Sequence, residues 1–254
     1  MAYAYHILLP GVPVSSTRGA LGWCSVVLVE SAGFKLLFDT GSHGDRSRLL
    51  ESFEETGVSP ADIQAVFLSH FHFDHVMNAD LFPRARFHLS RREWEYARSD
   101  EHPENGDHFV PRLLIPWIGE RLALFDPGEE IRPGLRSVGL PGHTPGLCGL
   151  LLEAEGVLLA GDGIKNAWEL VNRVPPPVFF SAEAALESYR RAVEAARVIV
   201  PGHDRPFAVE KEGRIRYLAH YPVELSCLPD PAGGPQKIRI LPEPERPPPA
   251  PARS

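Results

Sequence analysis

The sequence feature that most restricts the fold of this chain is the heptapeptide Ser69-His70-Phe71-His72-Phe73-Asp74-His75. It follows the apolar run 65–68, which predicts a short buried strand that ends where the heptapeptide begins. His70 and His72 can point the same way only while the chain stays extended, and Asp74 and His75 can join them only if it then turns. Imidazole and carboxylate groups suit zinc and its first-row neighbours. The pattern favours two adjacent metal ions over one, and a metal site over ordinary surface or core histidines.

Length and composition restrict the class of protein. The 254 residues, 43% of them hydrophobic, can bury a sizeable core in a single domain. A formal net charge of −7 argues against a nucleic-acid-binding surface. No apolar run approaches the roughly 20 residues of a membrane span, and the N-terminus lacks the positive charge of a signal peptide.

Cysteine usage indicates the redox compartment. Cys24, Cys148 and Cys227 are far apart and form no CxxC pair, which is typical of free thiols in a reducing compartment. We therefore expect a cytoplasmic protein. Its expected partner is a small-molecule substrate, with no nucleic acid and no membrane, and a homo-oligomer is compatible with the sequence.

Hydrophobic patterning predicts alternating strands and helices in the first half of the chain. The predicted strands are 5–10, 24–30, 34–38, 65–68 and 85–89. The predicted helices are 46–56, 76–82 and 91–98. Gly57 follows the first of these helices as a C-cap, and Ser90 precedes the last one as an N-cap.

The second half predicts a second sheet. Its predicted strands are 122–125, 130–131, 135–140, 147–153, 156–160 and 198–200. Ser181 is expected to cap a long helix over 182–197. The segments 99–120 and 164–180 are irregular but apolar, so they are expected either to line a substrate site or simply to pack on the core.

Four further motifs place a potential ligand or its support directly after a predicted strand. They are Asp39-Thr40-Gly41, the His143 loop Pro141-Gly142-His143-Thr144-Pro145-Gly146, Gly161-Asp162-Gly163, and Pro201-Gly202-His203-Asp204. The glycines on both sides of Asp162 permit a close backbone approach that a larger residue would block, and Gly and Pro around His143 suit a tight ligand loop.

The heptapeptide resembles the His-x-His-x-Asp-His signature of the metallo-β-lactamase-fold hydrolases, and the four further motifs match that family in order. The resemblance spans roughly residues 5–208 and implies an α/β fold, a single-domain αββα sandwich with its site at one edge between two sheets. It implies that His70, His72 and His143 hold one metal ion. It implies that Asp74, His75 and His203 hold a second ion, and that Asp162 bridges the two. Asp39 is implied to orient a ligand or a loop from behind.

The resemblance also implies a function. Two divalent transition-metal ions, expected to be zinc, would share a water that ionises near neutral pH and attacks a carbonyl. Asp74 and Asp162 are the candidates for proton transfer to the leaving group. Within this fold, the heptapeptide, the total length, the Asp162 loop and Gly202-His203-Asp204 resemble those of the N-acyl homoserine lactonases, the quorum-quenching members, which predicts opening of a lactone. Those enzymes usually have Tyr three residues after the bridging Asp, where this chain has Lys165, a charged donor to an oxyanion.

Other members of the fold provide the alternatives. A thioester hydrolase of the glyoxalase II type shares the metal ligands and is the alternative function. A flavodiiron-type redox protein usually has Glu where this chain has His72, an RNA-processing member would have an extra domain, and a non-catalytic scaffold usually loses ligands. The hydrolase domain is expected to span residues 1–228, followed by a Pro-rich, partly disordered tail over 229–254.

Overall fold

Two β-sheets stacked face to face form the centre of the structure, a computed structural model that describes residues 2–210, 213–227, 233–234 and 236–240. The elements of the first half are β1 (Ala4–Leu9), β2 (Ser15–Ser16), β3 (Gly19–Ala20), β4 (Val26–Ser31), β5 (Phe34–Phe38), α1 (Arg46–Thr56), β6 (Ala65–Phe67), α2 (Phe73–Val76), β7 (Arg86–Ser90), α3 (Arg91–Arg98), α4 (Glu101–Glu104), α5 (Ile115–Gly119) and β8 (Leu122–Phe125). Those of the second half are β9 (Glu130–Arg132), β10 (Leu135–Gly139), β11 (Cys148–Leu152), β12 (Val157–Gly161), α6 (Ala167–Asn172), α7 (Ala182–Ala195), β13 (Val198–Pro201), β14 (Phe207–Val209), β15 (Ile215–Tyr217), β16 (Val223–Cys227) and β17 (Gln236–Ile240). Short 3₁₀ turns occupy His43–Asp45, Pro60–Asp62, Ala79–Leu81, Arg112–Leu114 and Asp162–Ile164.

The strand order divides the chain into two similar halves. The first sheet runs β1-β4-β5-β6-β7-β8, and the second runs β15-β14-β13-β12-β11-β10-β9. In the first sheet β5, β6, β7 and β8 are parallel, and in the second sheet β12 and β13 are parallel. The pairs β2–β3 and β16–β17 form separate two-stranded hairpins.

Three buried apolar layers hold these elements together. Between the sheets, Phe67 stacks on Phe38 and on Phe125, with ring centroids 5.6 and 5.1 Å apart. The outer face of the first sheet packs on α1 and α3 through residues such as Phe53, and that of the second packs on α7 through residues such as Tyr189. Since helices cover both outer faces, the predicted α/β sandwich is confirmed.

The sheet topology brings several chain segments to one edge of the sandwich. Parallel strands end at the same edge, so the residues that follow β5 and β6 lie side by side, as do those that follow β12 and β13. Each of these strands is continued by one of the motifs of the sequence. The edge therefore collects residues that are more than a hundred positions apart in the chain.

Several predicted boundaries are wrong. Residues 122–125 were expected in the second sheet, but β8 pairs in parallel with β7 at the edge of the first. The short helix predicted over 76–82 begins earlier, at Phe73, and ends at Val76. The irregular segments 99–120 and 164–180 contain helices α4, α5 and α6, and the helix predicted over 182–197 ends at Ala195. The capping roles of Ser90, Ser181 and Gly57 are confirmed.

The C-terminal region is only partly covered. Residues 236–240 form β17, which pairs with β16, and most of the predicted tail over 229–254 lies outside the described residues. The domain boundary at residue 228 stays a prediction. Within the described ranges, no helix combines the length and the apolar character needed to cross a bilayer.

Candidate metal centre

The heptapeptide turns immediately after β6, as the spacing of its side chains requires. His72 has an extended backbone (φ −89°, ψ 154°) and precedes the first turn of α2, which carries Asp74 and His75. The extended part presents His70 and His72 together, and the helical turn presents Asp74 and His75 beside them. The helix has to begin within the heptapeptide, because only this turn brings adjacent residues to the same site.

The structure brings all seven predicted ligands together. Three groups of side chains each have potential ligand atoms within 4.8 Å of one another, and every member is buried. The groups are His70–His72–His143, His70–His75–Asp162 and Asp74–His75–His203. The first and third groups match the two sets that the sequence predicts, and Asp162 lies between them. The roles of these residues as ligands stay a prediction.

Unpartnered polar atoms indicate what the cluster can hold. His70 Nε2, His75 Nε2, His203 Nε2 and Asp162 Oδ1 are buried and make no hydrogen bond. Buried polar atoms without a partner cost free energy, so unpaired atoms that share one small site call for an explanation. Nitrogen and carboxylate donors of this kind fit divalent transition-metal ions. The donor set therefore fits a dinuclear metal site.

Asp162 is the electrostatic centre of the cluster. Its Oδ1 lies 3.2 Å from His203 Nε2 and 3.5 Å from His75 Nε2, and its Oδ2 lies 3.5 Å from His143 Nε2. Burial raises the pKa of this carboxyl, but its neighbours His203, Lys165 and His75 outweigh burial and hold the pKa well below its usual range. Asp162 is therefore an anion that faces both groups of ligands.

Two of the histidines are held from inside the sandwich. Asp39 follows β5, and its Oδ2 accepts hydrogen bonds from His75 Nδ1 at 2.7 Å and from Ser69 Oγ at 2.8 Å. Its Oδ1 accepts the Ser69 backbone N–H at 2.7 Å, and Ser69 Oγ also lies 3.0 Å from His70 Nδ1. These contacts leave the Nε2 atoms of both histidines facing the cluster. The predicted position of Asp39 behind a ligand histidine agrees with this geometry.

Two further histidines of the cluster, His72 and His143, are held from irregular segments. His72 Nε2 lies 2.8 Å from Asp107 Oδ2, and His143 Nδ1 lies 2.5 Å from the carbonyl oxygen of Pro177. The remaining ring nitrogens, His72 Nδ1 and His143 Nε2, lie 3.0 Å apart and face the cluster. Burial, followed by the neighbouring imidazole of His72, lowers the pKa of His143 to about 3. His143 is therefore neutral at physiological pH, as a metal ligand must be.

Glu93 joins the two loops that carry these histidines. This buried residue of α3 accepts the Phe71 backbone N–H through Oε1, and it accepts Thr144 Oγ1 and the Gly146 backbone N–H through Oε2. Burial raises the pKa of Glu93. One side chain thus fixes the distance between the heptapeptide and the His143 loop.

Lys165 contacts the cluster where the sequence places it. Its Nζ donates to Asp162 Oδ2 at 2.7 Å, and its backbone oxygen accepts the His203 N–H at 2.7 Å. Burial lowers the pKa of Lys165, but the carboxylates of Asp162 and Asp74 outweigh burial and raise it. Lys165 therefore carries a positive charge at the site.

Aromatic rings form one wall of the centre, here called the aromatic wall and consisting of Phe109 and Phe179. The Phe109 ring lies 5.7 Å from the ring of His72 and 5.7 Å from that of Phe179. Phe179 lies 5.6 Å from His72 and 5.4 Å from His143. Since Phe109 is 38% exposed, the wall extends from the cluster to solvent. These rings come from the two segments that the sequence left undecided.

Sequence reasoning missed three supports of the centre, namely Asp107, Glu93 and the carbonyl of Pro177. Glu93 carries no usable signal, because an acidic residue in the first turn after the Ser90 cap is ordinarily a surface residue that favours the helix N-terminus. Asp107 lies in an irregular segment and shows no pattern. The Pro177 contact uses a main-chain carbonyl, which every residue has, so the sequence cannot indicate it.

Comparisons with known proteins agree with this geometry. The Metallo-beta-lactamase superfamily matches residues 21–203. The Metallo-beta-lactamase domain-containing protein 1 of Xenopus laevis is 32% identical over 225 residues, which cover 84% of each chain. An N-acyl homoserine lactonase of Bacillus sp is 28% identical over 184 residues, 70% of this chain and 68% of the relative.

A solved structure extends the likeness to the fold. It is an N-acyl homoserine lactone hydrolase with the product N-hexanoyl-L-homoserine bound at its catalytic metal centre. It superposes with a TM-score of 0.60 at 23% identity and covers 71% of this chain and 82% of its own. The family match, the similar relatives and the fold agree with the predicted resemblance, and the chain is a metal-dependent hydrolase of the metallo-beta-lactamase superfamily.

Proposed function

We propose that the chain opens a lactone that carries an apolar acyl chain, of the N-acyl homoserine lactone kind. The observation that carries this proposal is the aromatic wall. Phe179 contacts the rings of His72 and His143, and Phe109 contacts that of His72 and reaches solvent. A surface of this kind suits an acyl chain whose carbonyl end lies at the ligand cluster.

The metal content belongs to the same proposal. His70, His72 and His143 would hold one ion, Asp74, His75 and His203 would hold the other, and Asp162 would contact both. Two dications held there would lower the pKa of water towards neutrality and would polarise an acyl carbonyl. Zinc as the metal and a cytoplasmic location, both expected from the sequence, stay predictions.

The residues of the chain divide the remaining work. Asp74 Oδ2 and Asp162 Oδ1 lie 3.3 and 3.2 Å from His203 Nε2, so the two carboxylates share one side of the site. For both carboxyls, burial raises the pKa, but the neighbouring histidines lower it by more. Both side chains are therefore anions that can accept a proton from the attacking water. We assign them the transfer of that proton to the leaving alkoxide. Lys165 is assigned to the negative charge that develops on the carbonyl oxygen.

The relatives support the lactone over other carbonyl substrates. One similar protein is named an N-acyl homoserine lactonase, and one similar structure contains an acyl-homoserine product at its metals. A thioester hydrolase of the glyoxalase II type would use the same ligands and is the alternative. The formal net charge of −7 disfavours a phosphodiester of nucleic acid.

The experiment that tests this proposal is a turnover panel on zinc-loaded protein. It contains homoserine lactones with acyl chains of increasing length, acyl thioesters, phosphodiesters and β-lactams. We expect ring opening, with kcat/KM rising by up to about fourfold per methylene until the wall is covered, from roughly 0.8 kcal/mol per buried methylene. Thioester turnover without any lactone turnover would transfer the function to the alternative. A flat chain-length profile would remove the acyl-binding role of the wall and keep the chemistry.

A further inference from the structure

Asp107 is a buried carboxylate outside the seven-ligand set, and it accepts hydrogen bonds from three directions. Its Oδ2 accepts from His72 Nε2 and from the Tyr96 hydroxyl, both at 2.8 Å. Its Oδ1 accepts the backbone N–H of Phe109 at 3.0 Å. Its side chain is completely shielded from solvent. A carboxylate that costs this much desolvation is retained only where its partners require it.

The contact with His72 decides which ring nitrogen faces the metal site. A neutral imidazole carries one proton, and an acceptor at 2.8 Å from Nε2 keeps that proton on Nε2. The lone pair is then on Nδ1, the atom that lies 3.0 Å from His143 Nε2. The hydrogen bond to Asp107 also fixes the rotation of the His72 ring, because Nε2 points to Asp107 while Nδ1 points to the ligand cluster.

The contact with Phe109 connects the same carboxylate to the aromatic wall. The Phe109 N–H donates to Asp107, and the Phe109 carbonyl accepts the N–H of Phe73, the first residue of α2. The Phe109 ring lies 5.7 Å from the His72 ring. The wall, the His72 ring and the start of the helix that carries Asp74 and His75 are therefore held by one short segment.

We propose that Asp107 is a positioning residue that sets the Nδ1-facing orientation of His72 and, through the Phe109 backbone, the place of the aromatic wall. The role of the aromatic wall in this inference rests on the proposed function. The role of His72 rests only on the geometry of the ligand cluster. The alternative is a purely structural carboxylate. Glu93 shows what such a carboxylate looks like, since it is buried and its hydrogen-bond donors are two backbone amides and a threonine hydroxyl, none of them a ligand ring.

The test compares Asp107→Asn, an isosteric change of a buried carboxylate, with Asp100→Asn on the same segment. Asp100 is 83% exposed and pairs with Arg112 at the surface, so its variant controls for the loss of charge. In Asp107→Asn, the new amide can keep its oxygen on Phe109 only by turning a donor towards His72, or keep it on His72 only by losing Phe109. Either arrangement breaks one of the two connections.

The first readout is zinc affinity, measured by chelator competition, together with thermal unfolding. We expect Asp107→Asn to weaken the binding of one of the two zinc ions about 10- to 100-fold. This is the usual effect of removing a carboxylate that hydrogen-bonds to a ligand histidine. Asp100→Asn is expected to change neither the zinc affinity nor the unfolding temperature. Two zinc ions bound with parental affinity in Asp107→Asn, with only a lower unfolding temperature, would overturn the inference.

The second readout is the ¹⁵N spectrum of the imidazole of His72 in the parental zinc-loaded protein, which needs no folded variant. We expect the proton on Nε2 and the metal on Nδ1. A metal-bound Nε2 would overturn the inference. Neither readout uses a lactone, so a failure of lactone turnover would refute the proposed function while the zinc affinity and the tautomer still decide the role of Asp107.

Discussion

The four histidines of the two ligand groups that include His70 are supported in two different ways. His70 and His75 are held from inside the sandwich by Ser69 and Asp39, both of which closely follow strands. His72 and His143 are held from outside, by Asp107 and by the carbonyl of Pro177. We call these the inner and outer histidines.

The two pairs differ in where their supports lie, either in the core of the fold or in the segments that carry the aromatic wall. The support of the inner histidines is part of the buried strand ends, so a change there is expected to act on stability as well as on the metals. The support of the outer histidines comes from the segments that also carry Phe109 and Phe179. A change in these segments is expected to act on metal affinity and substrate preference together, with less effect on the fold.

The largest effect is expected at Asp162, which faces both pairs. Asp162→Asn keeps the shape but removes the negative charge that Oδ1 presents to His75 and His203 and that Oδ2 presents to His143. We expect kcat/KM for the best substrate of the panel to fall by about 10³-fold, several kcal/mol of transition-state stabilisation, and the second metal to bind more weakly. Asp126→Asn, an exposed carboxylate paired with Arg91, serves as the control. Parental turnover in Asp162→Asn would mean that the residue does not join the two groups.

Replacing the inner support is expected to cost stability. Asp39→Asn keeps a residue that tolerates the positive φ of 55° but turns an amide donor towards either Ser69 or His75. We expect the free energy of unfolding to fall by roughly 2–3 kcal/mol, the penalty of an unsatisfied buried donor. Denaturant unfolding of Asp39→Asn beside Asp107→Asn measures the contrast. Equal losses of stability in the two variants would remove the distinction between inner and outer support.

Lys165 donates to Asp162 Oδ2, the carboxylate oxygen that faces the outer histidine His143. Lys165→Met keeps much of the side-chain volume and removes the ammonium that donates to Asp162 Oδ2 at 2.7 Å. We expect kcat on the lactone to fall by about 10²-fold, as for the loss of one oxyanion donor, while the zinc content stays at two. Lys165→Arg is the companion variant, because it keeps the charge and should recover part of the rate. An unchanged kcat in Lys165→Met would exclude this residue from the chemistry.

The smallest effect is expected at the aromatic wall. Phe179→Ala removes a ring that contacts both outer histidines, and we expect the KM for a long-chain lactone to rise about fivefold, from roughly 1 kcal/mol of lost apolar contact. Short-chain lactones should be nearly unaffected. The neighbouring Phe180→Ala, at a position that is 48% exposed, is the matched control. Equal effects on short and long chains would assign Phe179 to the support of the histidines instead.

The sequence predicts the inner half of this centre better than the outer half. Asp39, His70, His75, Asp162 and His203 follow buried strands, and parallel strands necessarily deliver their C-terminal ends to one edge. Asp107 reaches His72 across 35 residues from an irregular segment, where no periodicity reports which way a side chain points. The Pro177 contact uses a backbone oxygen, so the identity of the residue is uninformative.

Two errors in the fold have the same origin. The strand at 122–125 shows the same apolar pattern whichever sheet it joins, and its pairing with β7 is decided by the intervening segment 91–121. The start of α2 at Phe73 is set by the need to bring adjacent ligands to one site, which outweighs the local preference for a helix over 76–82. In both cases tertiary contacts decide what the local pattern leaves open.

We expect one chain to hold two metal ions, one at His70, His72 and His143 and the other at Asp74, His75 and His203, and metal content tests this most directly. Protein purified without chelator, and apoprotein reconstituted with zinc, would be measured by elemental analysis against protein concentration. We expect about two transition-metal ions per chain, and we expect chelation to lower the unfolding temperature because bound metal stabilises the folded state. A stoichiometry that stays at or below one after reconstitution would contradict it.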